Sequence, residues 1–323
     1  MVPSLVYNVA ILFIMMVPGI IMKKCKLAPE NFGKGISNIV LYIGQPALIF
    51  LAYVRPFDMD ILKNSIIVLI LSIIVHAIFT VAVLVLFKRA EDSARRMLRF
   101  ATMFSNAAFM GVPLISAVLG AEATIYASVY NITFNMFLWT LGVYICVGDR
   151  DADGDGEPDS KKYGKIPFMK AILHPITLAA FLGLLFFFLP IDGYIPKIVL
   201  ESVTMLKNLV APLSMVVIGL RLAEMDLRGF FKQVHLYEFL ALRHIILPLI
   251  VLGVMKLLLL FGLPISNEVL LVTLILAAAP AATSATMFAE MYDCDAAYVS
   301  KLVALSTILS VATMPLIVML AGV

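Results

Sequence analysis

At 323 residues, 62% hydrophobic and 14% charged, with a mean hydropathy of +1.03, the chain is too apolar for a soluble domain, where about a quarter of residues are charged. Twenty-four Lys and Arg against twenty-one Asp and Glu leave a net charge of +3, which provides no basic field of the kind that holds nucleic acid. A membrane protein remains, and at roughly 30 residues per span and loop about ten helices fit.

Apolar runs closed by charges or by Gly and Pro predict spans over 4–22, 36–54, 62–87, 97–119, 122–147, 171–189, 197–221, 235–261, 268–290 and 296–321. The first has no basic residue before it and Lys23, Lys24 and Lys26 after it, the order of a retained span with its amino terminus outside. The second carries Gln45-Pro46, and the third places Ser72, His76 and Thr80 on one face. The fourth carries Ser105, Asn106 and Gly111-Val112-Pro113, and the fifth aligns Ser128, Asn131 and Asn135. In the second half, the seventh span holds Ala211-Pro212-Leu213-Ser214, the eighth Arg243 and His244, and the ninth Ala279-Pro280 followed by Thr283, Ser284 and Thr286.

Charge placement sets the sidedness, because short cytoplasmic loops collect Lys and Arg. Eighteen basic residues fall on the odd-numbered connections and four on the even-numbered ones, with Arg243 and Lys256 inside the eighth span. Both termini are therefore expected outside and the 148–170 loop inside, in a plasma or bacterial inner membrane. Cys25, Cys146 and Cys294 all fall at cytoplasmic span ends, where thiols stay reduced, and are read as structural.

Five spans on either side of the polar loop give two halves of opposite orientation: a first repeat over 1–148, a linker over 149–170 and a second repeat over 171–323. Pro46 and Pro212 lie at comparable depths, as do Pro113 and Pro280, and the segments Ala123-Thr124-Ile125-Tyr126 and Ala296-Ala297-Tyr298 start similar helices. A proline in mid-span removes a donor and frees a carbonyl one turn back. In lipid such groups are costly, so a broken helix belongs where it faces protein or a watery cavity. Two breaks at equivalent depths in inverted halves point to a transporter site, since half-helix ends offer free N–H and C=O groups to a ligand. Ordinary kinking is the alternative, favoured for Pro46 and Pro212 and disfavoured for Pro113 and Pro280, which polar residues surround.

At these residues the sequence resembles the auxin efflux carrier family, whose fold is related to that of the bile-acid sodium symporters. The matching segments are Asn106-Ala107-Ala108-Phe109-Met110-Gly111-Val112-Pro113-Leu114, Ala279-Pro280 with Met287-Phe288-Ala289-Glu290-Met291-Tyr292, and Ser306-Thr307 with Ser310 and Pro315. The resemblance implies an all-α fold of ten helices in two inverted repeats. Spans one, two, six and seven would form a scaffold, and the others a transport domain in which spans four and nine cross, moving in an elevator-like manner. It also implies export or exchange of organic anions, with Asn106 as a substrate contact. Span nine has no acidic residue at the crossing, so a sodium ion would lack its usual carboxylate. The short central loop resembles microbial members more than the long plant carriers.

Beside that resemblance, each polar residue has a reading of its own. Ser105, Asn106, Gly111, Pro113, Pro280, Thr283, Ser284, Asn131, Asn135 and Gln45 are candidate substrate-binding positions. Asn131 and Asn135 serve equally well as helix-to-helix hydrogen bonds, and Gln45 as the partner of the carbonyl freed by Pro46. His76 is a candidate proton carrier, although a lone membrane histidine is more often a neutral core residue. Arg243 would snorkel to headgroups or attract an anion into the inward vestibule. Asp151, Asp153, Asp155 and Asp159 follow a calcium-loop spacing, but Lys162 stands where a bidentate Glu belongs, so a solvated linker is the simpler reading.

An intramembrane enzyme is disfavoured, since His174 has no acidic partner in its span; a receptor is disfavoured because no sizeable soluble domain is present. The expected function is a secondary transporter of a small organic anion such as a carboxylate, without cofactor. A sodium- or proton-coupled importer is the runner-up. Membrane lipid, H+ as coupling ion and a second copy of the chain docked through the scaffold helices are the expected partners.

Overall fold

A computed structural model of the chain describes residues 2–29, 31–148, 169, 172–189, 194–224 and 230–322. Among these the protein is all helical, apart from an isolated antiparallel bridge between Ser105 and Ala281. The acidic run of Asp151, Asp153, Asp155 and Asp159 lies outside the described residues.

Among the described residues seven helices are long and apolar enough to cross a bilayer, and three shorter apolar ones cover Ala107–Val118, Pro175–Phe188 and Asn267–Ala278. Numbered by the spans expected from sequence, α1 (Val2–Ile14) and α2 (Val17–Lys24) cover the first, broken at Met15-Met16 just before Pro18, an interruption the hydropathy pattern gave no sign of. The second is α3 (Phe32–Ile39) and α4 (Gln45–Tyr53), the third α5 (Met59–Val85), and the fourth α6 (Asp92–Met103) and α7 (Val112–Val118). The fifth comprises α8 (Gly120–Phe137) and α9 (Val143–Val147). Next come α10 (Pro175–Phe188), then α11 (Lys197–Asn208) with α12 (Val210–Ala223), and α13 (Val234–Ala241) with α14 (Leu247–Leu260). Finally α15 (Asn267–Ala278) and α16 (Ser284–Met291) flank the second break, and α17 (Ala296–Leu320) closes the chain.

Helix starts follow ordinary capping chemistry. The Asp58 carboxylate accepts from the amides of Asp60 and Ile61, Ser266 Oγ from Val269, and Asp295 from Tyr298.

Three of the π-helical turns have one cause. Val40–Gly44, Ala107–Gly111 and Leu242–Ile246 each run into an X-Pro pair, with Pro46, Pro113 and Pro248. The residue before each proline donates five positions back: Gln45 to Val40, Val112 to Ala107 and Leu247 to Leu242. A proline ring collides with the carbonyl four residues earlier, and widening that turn by one residue relieves the collision. The π turn in span eight, which carries Arg243 and His244, was not anticipated from sequence.

Two sets of helix contacts border the crossing, and they are joined to each other through α8, which also packs on α4 and α10, and through α1, which packs on α7 and α17. In one set, α2 and α3 lie against α12, and α4 against α10 and α11. Contact there is backbone-close: a methyl at Gly19 would strike the carbonyl of Val216, and one at Gly219 the carbonyl of Met16. At Gly183 a methyl would lie 2.6 Å from the Tyr53 ring. In the other set α5 packs on α6 and α8, α7 on α8, and α17 on α6, α15 and α16. Both sets border the middle of the fourth and ninth spans.

Candidate functional site

The fourth and ninth spans are interrupted where they meet. Ala279 precedes Pro280 and is forced out of the helical region (φ −57°, ψ 149°), which ends α15. Phe104 turns extended (φ −101°, ψ 123°) and ends α6. The two extended pieces then pair: Asn106 N–H donates to Pro280 O at 2.7 Å, and Ala282 N–H to Phe104 O at 2.9 Å. This short ladder satisfies backbone groups that would otherwise be orphaned in an apolar interior.

Side chains from the eighth and tenth spans complete the accounting. Ser306 Oγ accepts from Ala281 N–H at 2.8 Å and lies 2.8 Å from His244 Nε2. Thr313 Oγ1 gives its own proton to Leu309 O, so it accepts from His244 Nδ1–H at 3.0 Å, and Nε2 of the neutral ring accepts from the Ser306 hydroxyl. Arg243 Nη1 donates to Thr102 O at 3.1 Å and Nη2 to Ala279 O at 2.5 Å.

On the other side of the crossing lies a cavity of about 60 Å³. Its polar wall is Ser105, Asn106, Asn131, Asn135, Thr283, Ser284 and His174; its apolar wall includes Leu41, Phe109, Phe134 and Trp139. Leu41 and His174 come from one packing set, the crossing and α8 from the other. At about 30 Å³ per water molecule, the cavity admits two waters or a carboxylate head.

Two amides in this wall are unsatisfied. Asn106 is 2% exposed, its Oδ1 receives only a long 3.5 Å bond from Thr283 Oγ1, and its Nδ2 has no partner. Asn135 Nδ2 is likewise buried without a partner, whereas Asn131 Nδ2 is committed to Ala127 O at 2.9 Å. Buried donors left unpaired cost free energy, and two residues that carry one border the same cavity.

The sequence pattern of the membrane transport protein family matches residues 4–318. The chain belongs to this family, that of the auxin efflux carriers. Among similar proteins are uncharacterized transporters of two archaea. One, of Methanothermobacter thermautotrophicus, is 26% identical over 300 residues, 92% of either chain. The other, of Methanocaldococcus jannaschii, is 25% identical over 307 residues, 94% of either chain.

In this membrane transport protein the remaining candidates fall outside the cavity. Gly111 lies under α15, where a methyl would come within 2.6 Å of Leu276 Cδ2, and Pro113 is buried in α7. Pro280 lends its carbonyl to Asn106 and ends α15. Gln45 does not serve the carbonyl freed by Pro46. Its Nε2 donates to Ala108 O, the group that Pro113 leaves free in the π register, so it ties the second span to the fourth. His76 sits in an aromatic cage, 5.0 Å from the Phe137 ring and 5.2 Å from Tyr130, with Nδ1–H on Ser72 O at 2.7 Å.

Arg243 departs most from expectation. Neither snorkelled nor facing a vestibule, it is wholly buried against the crossing. A capping role explains this, because its guanidinium can reach two helix ends at once.

His174 was missed as a site residue. Its Nδ1 accepts from Ile176 N–H at 3.4 Å as the cap of α10, which leaves the proton on Nε2. The sequence signal was there in His174-Pro175, a cap position directly before a helix-opening proline.

Proposed function

We propose that the chain is a secondary transporter that carries a small organic anion, a carboxylate, through the cavity at the crossing of the fourth and ninth spans. One observation carries this reading: Asn106 and Asn135, each with a buried amide nitrogen that has no hydrogen-bond partner, line one cavity together with Thr283 and Ser284. A carboxylate accepts from both amides without either giving up another bond. Neutral donors suit an anion that must be released again, because a direct ion pair in a dry site would hold it too firmly.

In this reading the ten spans are two inverted repeats. Its support is the paired breaks in spans four and nine, the π turns or interruptions at Pro46 and Pro212, and equal 27-residue third and eighth spans. Spans one, two, six and seven act as scaffold and the other set slides against it, exposing the cavity to each side in turn. The cavity's position between the two packing sets favours this movement. The excess of Lys and Arg on odd-numbered connections supports a reading with both termini outside.

The test is flux in proteoliposomes with acetate, lactate, malate and succinate, with and without imposed proton or sodium gradients. Saturable movement of at least one carboxylate is expected; the absence of any at confirmed orientation and folding would refute the proposal.

A further inference from the structure

Arg243 is a wholly buried cation in the membrane-spanning part of the protein, and among the described residues no carboxylate pairs with it. Intramembrane charges are costly and usually meet an opposite charge or a set of carbonyls, so its surroundings indicate its role. Those surroundings are helix ends. Thr102 O lies in the last turn of α6 and Ala279 O just past the end of α15, and one guanidinium holds both, at 3.1 and 2.5 Å. Each end carries the negative pole of a half-helix, roughly half an elementary charge. The Phe79 ring, 5.3 Å from Arg243 Cζ, adds its negative face.

Carbonyl oxygens of two converging helix ends make a seat for a small cation, and a bound metal ion there would neutralise both poles and add a positive field beside the anion cavity. The guanidinium already does both. It is permanently charged and cannot leave, and no Asp or Glu occurs between Ala277 and Ala289 to offset it. We propose that Arg243 is a built-in substitute for a coupling cation: it holds the two half-helix ends at the crossing and supplies the positive potential for the anion, so carboxylate movement needs no metal cation. His244, the next residue on the same π turn, ties the region to the Ala281 amide through Ser306, which fixes the seat relative to the crossing backbone. Arg243 acts here as a positioning residue, since it does not line the cavity. The proposal deepens the anion-transport reading and rests on it for its flux arm.

Carboxylate flux would be measured in sodium, potassium and choline buffers for the parent, Arg243→Lys and Arg243→Gln. The parent and Arg243→Lys are expected to change less than about twofold when choline replaces sodium. Arg243→Gln is expected to lose tenfold or more in choline, and to recover with millimolar methylguanidinium or sodium. A second arm needs no substrate: methylguanidinium is expected to raise the melting temperature of Arg243→Gln in detergent and to leave the parent unchanged.

Parent flux that collapses without sodium and potassium would overturn the proposal, whether or not the glutamine variant folds. So would an Arg243→Gln protein as stable and as active in choline as the parent. If no carboxylate moves in the parent, the transport reading fails, and the melting series alone decides the role of Arg243.

Discussion

Truncating Asn106 to Ala separates function from stability in a way that a structural asparagine would not. The side chain is 2% exposed, and its one contact, from Thr283 Oγ1, is at the 3.5 Å limit; Nδ2 bonds nothing. The backbone amide and carbonyl, which hold Pro280, Met110 and Gly111, survive the substitution. A buried unpaired amide costs about 1–3 kcal/mol. Asn106→Ala relieves that cost and gives up only the packing of one small group, so stability should be unchanged or higher by about 1 kcal/mol. A hydrogen bond to a carboxylate is worth about 1.5–3 kcal/mol, so affinity for the transported anion should fall about 10- to 150-fold. Thermal unfolding in detergent and ligand-dependent melting shifts read the two quantities on one sample. Loss of more than about 2 kcal/mol of stability with affinity unchanged would refute the argument.

Other variants probe the frame that holds the site. Gly219→Ala drives a methyl into the Met16 carbonyl and should cost about 3 kcal/mol or more, whereas Gly253→Ala, with nothing within 4 Å, should leave the melting temperature unchanged. Gln45→Met orphans Ala108 O, and a loss of about 1–3 kcal/mol is expected in detergent unfolding. His76→Gln should leave the pH profile of flux intact, because the ring is caged by Tyr130, Phe134 and Phe137 and bonds a backbone carbonyl; abolished pH dependence at normal expression would reverse this assignment.

The break at Pro280 could be read from sequence because proline acts locally, removing a donor and barring helix in the residue before it; span four instead breaks at Phe104–Asn106, upstream of Pro113, which only widens a continuous helix into a π turn. The amides beside these breaks were legible for a related reason, since an asparagine in an apolar run has to face something polar. Partners brought from distant spans were not legible. Nothing in the seventh or eighth span says that Arg243 will reach Thr102 and Ala279, which lie 141 and 36 residues away in sequence. Gln45 was misread for the same cause: the proline beside it suggested one carbonyl, and packing supplied another, on Ala108. His174 was overlooked because its meaning depends on the cavity that α10 borders.

The most direct measurement is carboxylate counterflow in proteoliposomes containing equal amounts of the parent, Asn106→Ala and Asn135→Ala. Saturable exchange by the parent, with the half-saturating concentration raised about tenfold or more in each variant, is the expected result. Parent-like exchange by both variants would show that the anion does not bind at the crossing of the fourth and ninth spans.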